Sequence, residues 1–361
     1  MNIYYLIYII FAFFSFIELW SKQDNRVVAL LGYVLVLIMG AIRWKTGTDW
    51  DEYYYFFASN HTLKDYVESD AAMEVGYRLL NFVARCIYPS FSILLMIATT
   101  FSVYTYANYC RASGFNRYPA TLLLLFWCIM PFGGMFCTRQ IIANMICILS
   151  LQYVIRGQLT KFLAVVAIAC TFHISAVIYL VSYFIYKQEF TKEKAIFALL
   201  AFCIGGGFIG LFINMLIESY SGYIITKLII YSGEEYEMEQ SSLVMGTIKR
   251  LLTLPLFILY RKYIQENKEM YDGCLNLYIF GTCVYYLFAL GNLGQLVRMS
   301  VYFQFFELPL FYIILRHTKD IVLIFYIMAY CGMKVYSALS GYPDLYVPFE
   351  TVFDSTYKQT Y

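Results

Sequence analysis

The chain has 361 residues, 61% of them apolar and 14% charged, with 26 Lys and Arg against 24 Asp and Glu. A soluble domain carries about 25% charged residues, so an ordinary soluble enzyme is excluded; the net charge of +2 offers no basis for a nucleic-acid partner. Several apolar runs can cross a hydrocarbon layer of about 30 Å, and their continuity excludes a membrane β-barrel. The expected fold is all-α, a polytopic transmembrane helical bundle forming a single integral-membrane domain over residues 1–361.

Residues 1–20 carry no basic leader and no small-residue cleavage site, so the run 3–20 reads as the first membrane helix. Lys22 and Arg26 follow, and 27–42 returns. Arg43 to Tyr53 then packs two cations, three acids, two tryptophans and a tyrosine beside the membrane surface. A plain connector needs none of these groups. Its tryptophans can anchor at headgroups, Arg43 can bind phosphate through a planar fork, and Gly47 permits a turn or a close approach. A loop of about thirty residues follows, in which 74–88 reads as an amphipathic helix with Arg78 and Arg85 on its polar side.

Further crossings are expected at 90–109, 119–132 and 139–155, the second stopped by the breaker Pro131-Phe-Gly-Gly134. The pieces 162–172 and 174–187 meet at His173 and span about 16 Å and 21 Å, short for full crossings. They read as a re-entrant or broken hairpin with His173 at its tip. Crossings at 195–217, 247–264, 274–292, 298–316 and 320–338 complete about twelve membrane segments. The loops 43–89 and 218–245 are expected to contribute to a site. The ten cysteines are scattered without a Cys-x-x-Cys pair, so no metal site or cofactor is signalled.

Fourteen of the 26 Lys and Arg fall in short loops on one side, against seven acids there. The positive-inside rule makes that side cytoplasmic. The outer side then collects Arg43, Asp49, Glu74, Arg139, Lys249, Arg250 and Arg298, with His173 pointing the same way. Ionisable groups at membrane depth are costly and line polar cavities. A set of arginines there can neutralise a diphosphate. Each residue has a plainer alternative. Arg43, Arg139 and Arg298 can be headgroup anchors, although Arg139 and Arg298 open helices whose N-termini favour anions. His173 can be structural, Asp49 a base or a partner of Lys45, and Glu307 needs a buried partner. The acidic run 233–239 is a solvated stretch or a weak calcium site.

The stretches Arg43-x-x-x-Gly47-x-Asp49-x-x-x-Tyr53-x-x-x-Phe57, Glu74-x-Gly76-Tyr77-x-Leu79-Leu80, Thr138-Arg139-Gln140-x-x-Ala143, Phe172-His173-x-Ser175-Ala176 and Arg298-x-x-x-Tyr302-Phe303 resemble, in order, the EpsG family. This is a branch of the Wzy-type polymerases of bacterial surface polysaccharides. Two departures stand out: Glu74-Val-Gly76, where proline is expected centrally, and Tyr346-Val-Pro348-Phe349, a faint echo of the family's ending.

The resemblance implies a GT-C-like enzyme in the bacterial cytoplasmic membrane, with its site facing the exterior. The donor it implies is a glycan on undecaprenyl diphosphate, the acceptor a lipid-linked repeat unit, and the transfer inverting. A flippase and a chain-length regulator of the same pathway are the expected partners besides the bilayer. On that chemistry, His173, Asp49, Arg139 and Arg298 are the catalytic candidates. His173 suits a base best, with Asp49 second. Arg43, Gly47, Glu74, Gln140, Lys249, Arg250 and Tyr302 are the substrate-binding candidates, with the guanidinium groups on the leaving diphosphate. Metal-independent transfer is expected. A lipid-linked oligosaccharide flippase or transporter, an envelope glycan ligase and a membrane acyltransferase are the alternatives.

Overall fold

The computed structural model describes residues 2–69, 73–136, 139–219, 240–317 and 320–354. Thr138, the apolar piece 224–231 and the acidic run 233–239 lie outside the described residues. Among the described residues every regular element is a helix, and the β-contact present is one isolated bridge between Arg43 and Thr351. The all-α expectation holds.

The helices are α1 (Ile3–Ser21), α2 (Arg26–Ile42), α3 (Trp50–Ser59), α4 (Leu63–Glu68), α5 (Val75–Ile87), α6 (Phe91–Ala112), α7 (Pro119–Ile129), α8 (Arg139–Ile155) and α9 (Leu159–Cys170). A 3-10 stretch Ile174–Val181 runs into a short turn of helix, Ser182–Ile185. Then come α10 (Lys192–Ser219), α11 (Gln240–Tyr260), α12 (Lys268–Leu290), α13 (Glu307–His317) and α14 (Ile321–Ser340). Seven helical segments are long and apolar enough to cross a membrane, and α2, α7, α8, α9 and Ile174–Ile185 are shorter apolar helices. The protein is a multi-pass membrane protein.

The chain packs as two compact units, Met1–Leu180 with Asp320–Tyr361, and Val181–Lys319. In the first, α7 is the hub: it packs against α1, α2 and α14, and every residue from Ala120 to Ile129 is buried. A helix apolar all round belongs inside a bundle. Its N-terminus is capped from α1. The Glu18 carboxylate, itself buried, accepts from the backbone N–H of Ala120 and Thr121 and from the Thr121 hydroxyl, at 2.8–3.2 Å. Those N–H groups have no partner inside the helix, which explains a carboxylate within the first apolar run. Pro131 then ends the segment, and Phe132, Gly133 and Gly134 take positive φ as the breaker cluster requires.

In the second unit α12 is central, packed on α10, α11 and α13. The crossing expected at 298–316 is interrupted at residues 305–306, before α13 begins at Glu307. Pro309 accounts for the break, because proline lacks an N–H and its ring clashes with the carbonyl four residues back. Glu307 is 3% exposed, and the Tyr278 hydroxyl donates to it at 3.3 Å. A phenol on α12 is thus one of its buried partners.

Candidate active site

The segment after α2 is tied down by the end of the chain. Trp44 N–H donates to the Glu350 carbonyl, Gly47 N–H to that of Leu345, and Val352 N–H to that of Ile42, at 2.6–2.8 Å. The Tyr346 ring stands edge-on to Phe136 at 4.9 Å. Residues 345–352 therefore form a strap across the Arg43 segment, a pairing with no counterpart in the local sequence pattern.

Under this strap Arg43 is 2% exposed; it donates to the Thr46 carbonyl at 2.7 Å and lies 5.2 Å from the centre of the Phe136 ring. In this structure it fastens the turn from within. Trp44 and Trp50 are also buried, in an aromatic cluster with Tyr54 and Phe91. Gly47 has φ +103°, and a Cβ there would stand 2.6 Å from the Phe136 ring. Gly47→Ala is accordingly expected to cost about 1–3 kcal/mol, seen as a lower thermal midpoint of the purified protein. Asp49 is exposed, in the left-handed region, at the start of α3.

Three helix ends meet next to this turn. α8 begins at Arg139, α5 is preceded by Glu74, and α9 ends just before the break at 171–173. Arg139 donates to Glu74 Oε2 at 2.8 Å, and its Nε reaches the Tyr53 hydroxyl at 3.5 Å. The other carboxylate oxygen of Glu74 accepts from the backbone N–H of Ile174 at 3.2 Å, locking it to the residue after His173. The Arg139 and Glu74 side chains are 16% and 22% exposed, open enough for a ligand and shielded enough for charge to matter. Burial raises the Tyr53 phenol above its usual range, against the pull of Arg139, so its hydroxyl stays protonated.

The hairpin tip is itself ordered by hydrogen bonds. Gly76 N–H donates to the Thr171 carbonyl at 2.7 Å, drawing the start of α5 onto the end of α9. His173 Nδ1 lies 2.6 Å from the Ser175 hydroxyl and 3.4 Å from the Ser175 backbone N–H. A backbone N–H can only donate. Nδ1 is placed to accept from Ser175, and a neutral ring accepting there carries its proton on Nε2.

Arg139 and Glu74 thus lie together beside the His173 turn, and half-buried Gln140 follows Arg139. Two participants went unassigned in the sequence, Tyr53 and Ser175. Both stand in the quoted motifs, at positions that the helix α3 and the His173 turn explain. The remaining candidates lie in the second unit. Arg298 is exposed and Lys249 is half-buried. Arg250 is buried, stacked 3.4 Å from the Tyr285 ring centre and donating to the Gly246 carbonyl, while Tyr302 is 0% exposed. Arg250 and Tyr302 are packed among side chains in this structure, and contact with a substrate would require them to leave these positions. Among the described residues no three His, Cys, Asp or Glu side chains gather as a metal site.

Taken together, the helices and this cluster define a multi-pass membrane protein with a guanidinium, a carboxylate and an imidazole at a shared set of helix ends. The chain belongs to the EpsG family, whose model matches residues 25–351, and is accordingly a membrane protein of polysaccharide biosynthesis. The match takes in the strap as far as Thr351 as well as the cluster. No curated protein and no solved structure matches the chain.

Proposed function

We propose that the protein joins lipid-linked oligosaccharide repeat units into a surface polysaccharide, acting as an inverting glycosyltransferase on the outer face of the bacterial cytoplasmic membrane. The five shorter apolar helices complete about twelve crossings in this reading, in a GT-C-like arrangement. The observation that carries it is the Arg139–Glu74 pair anchored beside His173. The acceptor's sugar hydroxyl attacks the anomeric carbon of the donor. The bond from that carbon to the undecaprenyl diphosphate breaks, and the diphosphate leaves with the bonding electrons.

Charge therefore grows on the leaving group, where a fixed guanidinium stabilises it most in a site shielded from water. Arg139 takes that role, oriented by Glu74 and Tyr53, and no metal is required. The Nε2–H of a neutral His173 suits a hydrogen-bond donor to the departing phosphate oxygen, the proton staying on the ring, in place of the base expected from its chemistry alone. The proton of the attacking hydroxyl goes to Asp49, an exposed carboxylate one turn before Tyr53 on α3. Arg298 is the corresponding phosphate candidate on the second unit.

The test is expression in a host lacking its own polymerase, with the lipid-linked glycans resolved by size. A ladder with the wild type supports polymerisation. Single repeat units that only change sides of the membrane would replace this reading with a flippase, and transfer of finished glycan to another acceptor would replace it with a ligase.

A further inference from the structure

Within the second unit a cavity of about 240 Å³ opens between α10 and α12, beside the loop that precedes α10. Further along, the two helices meet backbone to backbone. A Cβ on Gly206 would stand 2.9 Å from the Tyr286 and Leu287 carbonyl oxygens, and one on Gly210 would stand 3.0 Å from that of Gly291. Nearer the start of α10 the gap is open past the small side chain of Ala198, as far as the edge-on ring pair Phe202 and Phe280, 6.2 Å apart. The lining is polar at the first turn of α10, with Lys194 and Glu189, and apolar two turns on. The loop at this mouth is fixed. Asn276 on α12 donates to the Gln188 carbonyl at 2.7 Å, and Lys194 Nζ donates to the Glu189 carbonyl at 3.4 Å. Phe190 is buried with the Arg261 guanidinium 4.8 Å from its ring centre, and Asp272 accepts from that guanidinium at 2.6 and 2.8 Å. The charges that line the mouth itself are one ammonium and one carboxylate.

We infer that this cleft binds a zwitterionic glycerophospholipid, with its phosphate on Lys194, its ammonium on Glu189 and one acyl chain passing Ala198 toward Phe202. The charge pattern selects the headgroup. A mouth carrying both signs matches a headgroup carrying both, whereas an anionic headgroup satisfies Lys194 and sets its phosphate beside a carboxylate with no cation to offer it. An ammonium has three N–H donors, so Lys194 can hold the Glu189 carbonyl and a phosphate together. From Lys194 to Phe202 the helix rises about 12 Å at 1.5 Å per residue, room for the upper part of one chain. The second chain has its own surface: Ile196, Phe197, Leu200 and Ile204 on α10 are 58–74% exposed, on a helix able to span the membrane. Headgroup recognition by charged pockets between membrane helices is an established mode. The lipid then fills the gap at the end of the α10–α12 pair that the glycine contacts leave open. This site stands apart from the chemistry at Arg139 and does not depend on it.

The experiment is native mass spectrometry of the purified, delipidated full-length protein, titrated with phosphatidylethanolamine or phosphatidylglycerol of identical chains. The wild type is expected to bind phosphatidylethanolamine about tenfold more tightly. Lys194→Ala should weaken both lipids about tenfold, since both carry the phosphate. Glu189→Gln takes away the partner of the ammonium and should abolish the preference, leaving phosphatidylglycerol bound at least as well as phosphatidylethanolamine. Ala198→Phe fills the cleft and should weaken both about tenfold, while Lys161→Ala, at an exposed lysine of the first unit, should change neither. Equal affinity for the two lipids in the wild type, or a preference that survives Glu189→Gln, would overturn the headgroup assignment. Binding unchanged by Ala198→Phe would put the chains elsewhere and overturn the cleft as the site. Lys194 and Glu189 are exposed, so their variants carry the test even where Ala198→Phe lowers the yield of folded protein.

Discussion

Arg139→Ala is expected to lower the initial rate of repeat-unit consumption in proteoliposomes by about 10²–10³, the usual loss when one fixed donor to a developing anion is removed. A stability cost of about 1–2 kcal/mol should accompany it, because Glu74 loses a charged partner at a partly exposed position. The rate loss is the larger effect and is separable from the stability cost. The swapped pair Arg139→Glu with Glu74→Arg restores an ion pair between α8 and α5, so the thermal midpoint should recover. The rate should not, since the guanidinium then sits on α5, away from its place beside Tyr53. Arg139→Lys should fall between wild type and alanine, as an ammonium keeps the charge without the planar fork. Recovery of the rate by the swapped pair would make the pair structural, and the phosphate would have to be held elsewhere.

How far the site was legible from sequence depends on how local each signal is. The breaker Pro131-Phe-Gly-Gly134 and the interruption at His173 are backbone properties, and they appear where the residues place them. The convergence of Arg139, Glu74 and His173 was legible because each stands at a helix end or break, and the crossings expected from the sequence bring those ends level. Helices α3 and α4 were missed inside a presumed loop. The buried stripe Trp50, Tyr53, Phe57 does carry helical spacing, but Asp51 and Glu52 interrupt it, and a dense mixture of charge and aromatic residues resembles a surface segment. Thr62 and Asp65 form a capping box at the start of α4, a local signal that was present and went unread.

Arg43 and the strap illustrate the other limit. Whether an arginine at the end of a membrane helix snorkels to water or folds inward depends on what covers it. Here the cover arrives from residues 345–352, some three hundred positions away. No periodicity encodes such a contact. Glu18 shows the same dependence, since its partner is the N-terminus of α7, and neither residue type nor position announces it. The tautomer of His173 lies between these cases. Ser175 stands only two residues on, yet the turn that aims its N–H at Nδ1 is also tied to Gly76 and Glu74 through the Thr171 carbonyl and the Ile174 N–H.

That dependence makes Gly76 the most sensitive position outside the charged cluster. A Cβ added there would lie 2.4 Å from the Thr171 Oγ1 and 2.8 Å from the Thr171 carbonyl oxygen. The hydroxyl can rotate aside, but the carbonyl is backbone and accepts from Gly76 itself. Gly76→Ala must therefore push the start of α5 away from the end of α9. Glu74, two residues before, would then lose the Ile174 N–H and carry Arg139 with it. The expected outcome is a cost of about 1–3 kcal/mol from overpacking and polymer output at least tenfold lower, about 1.4 kcal/mol in barrier height, with the protein still inserted in the membrane. Adding Thr171→Ala removes the closer of the two contacts and leaves the carbonyl in place. It should recover part of the thermal midpoint and little of the activity. Full recovery of activity would show that only the hydroxyl stood in the way and that the carbonyl can yield. An active Gly76→Ala single variant would mean that α5 relaxes without moving Glu74, so that the Arg139–Glu74 geometry does not depend on this junction.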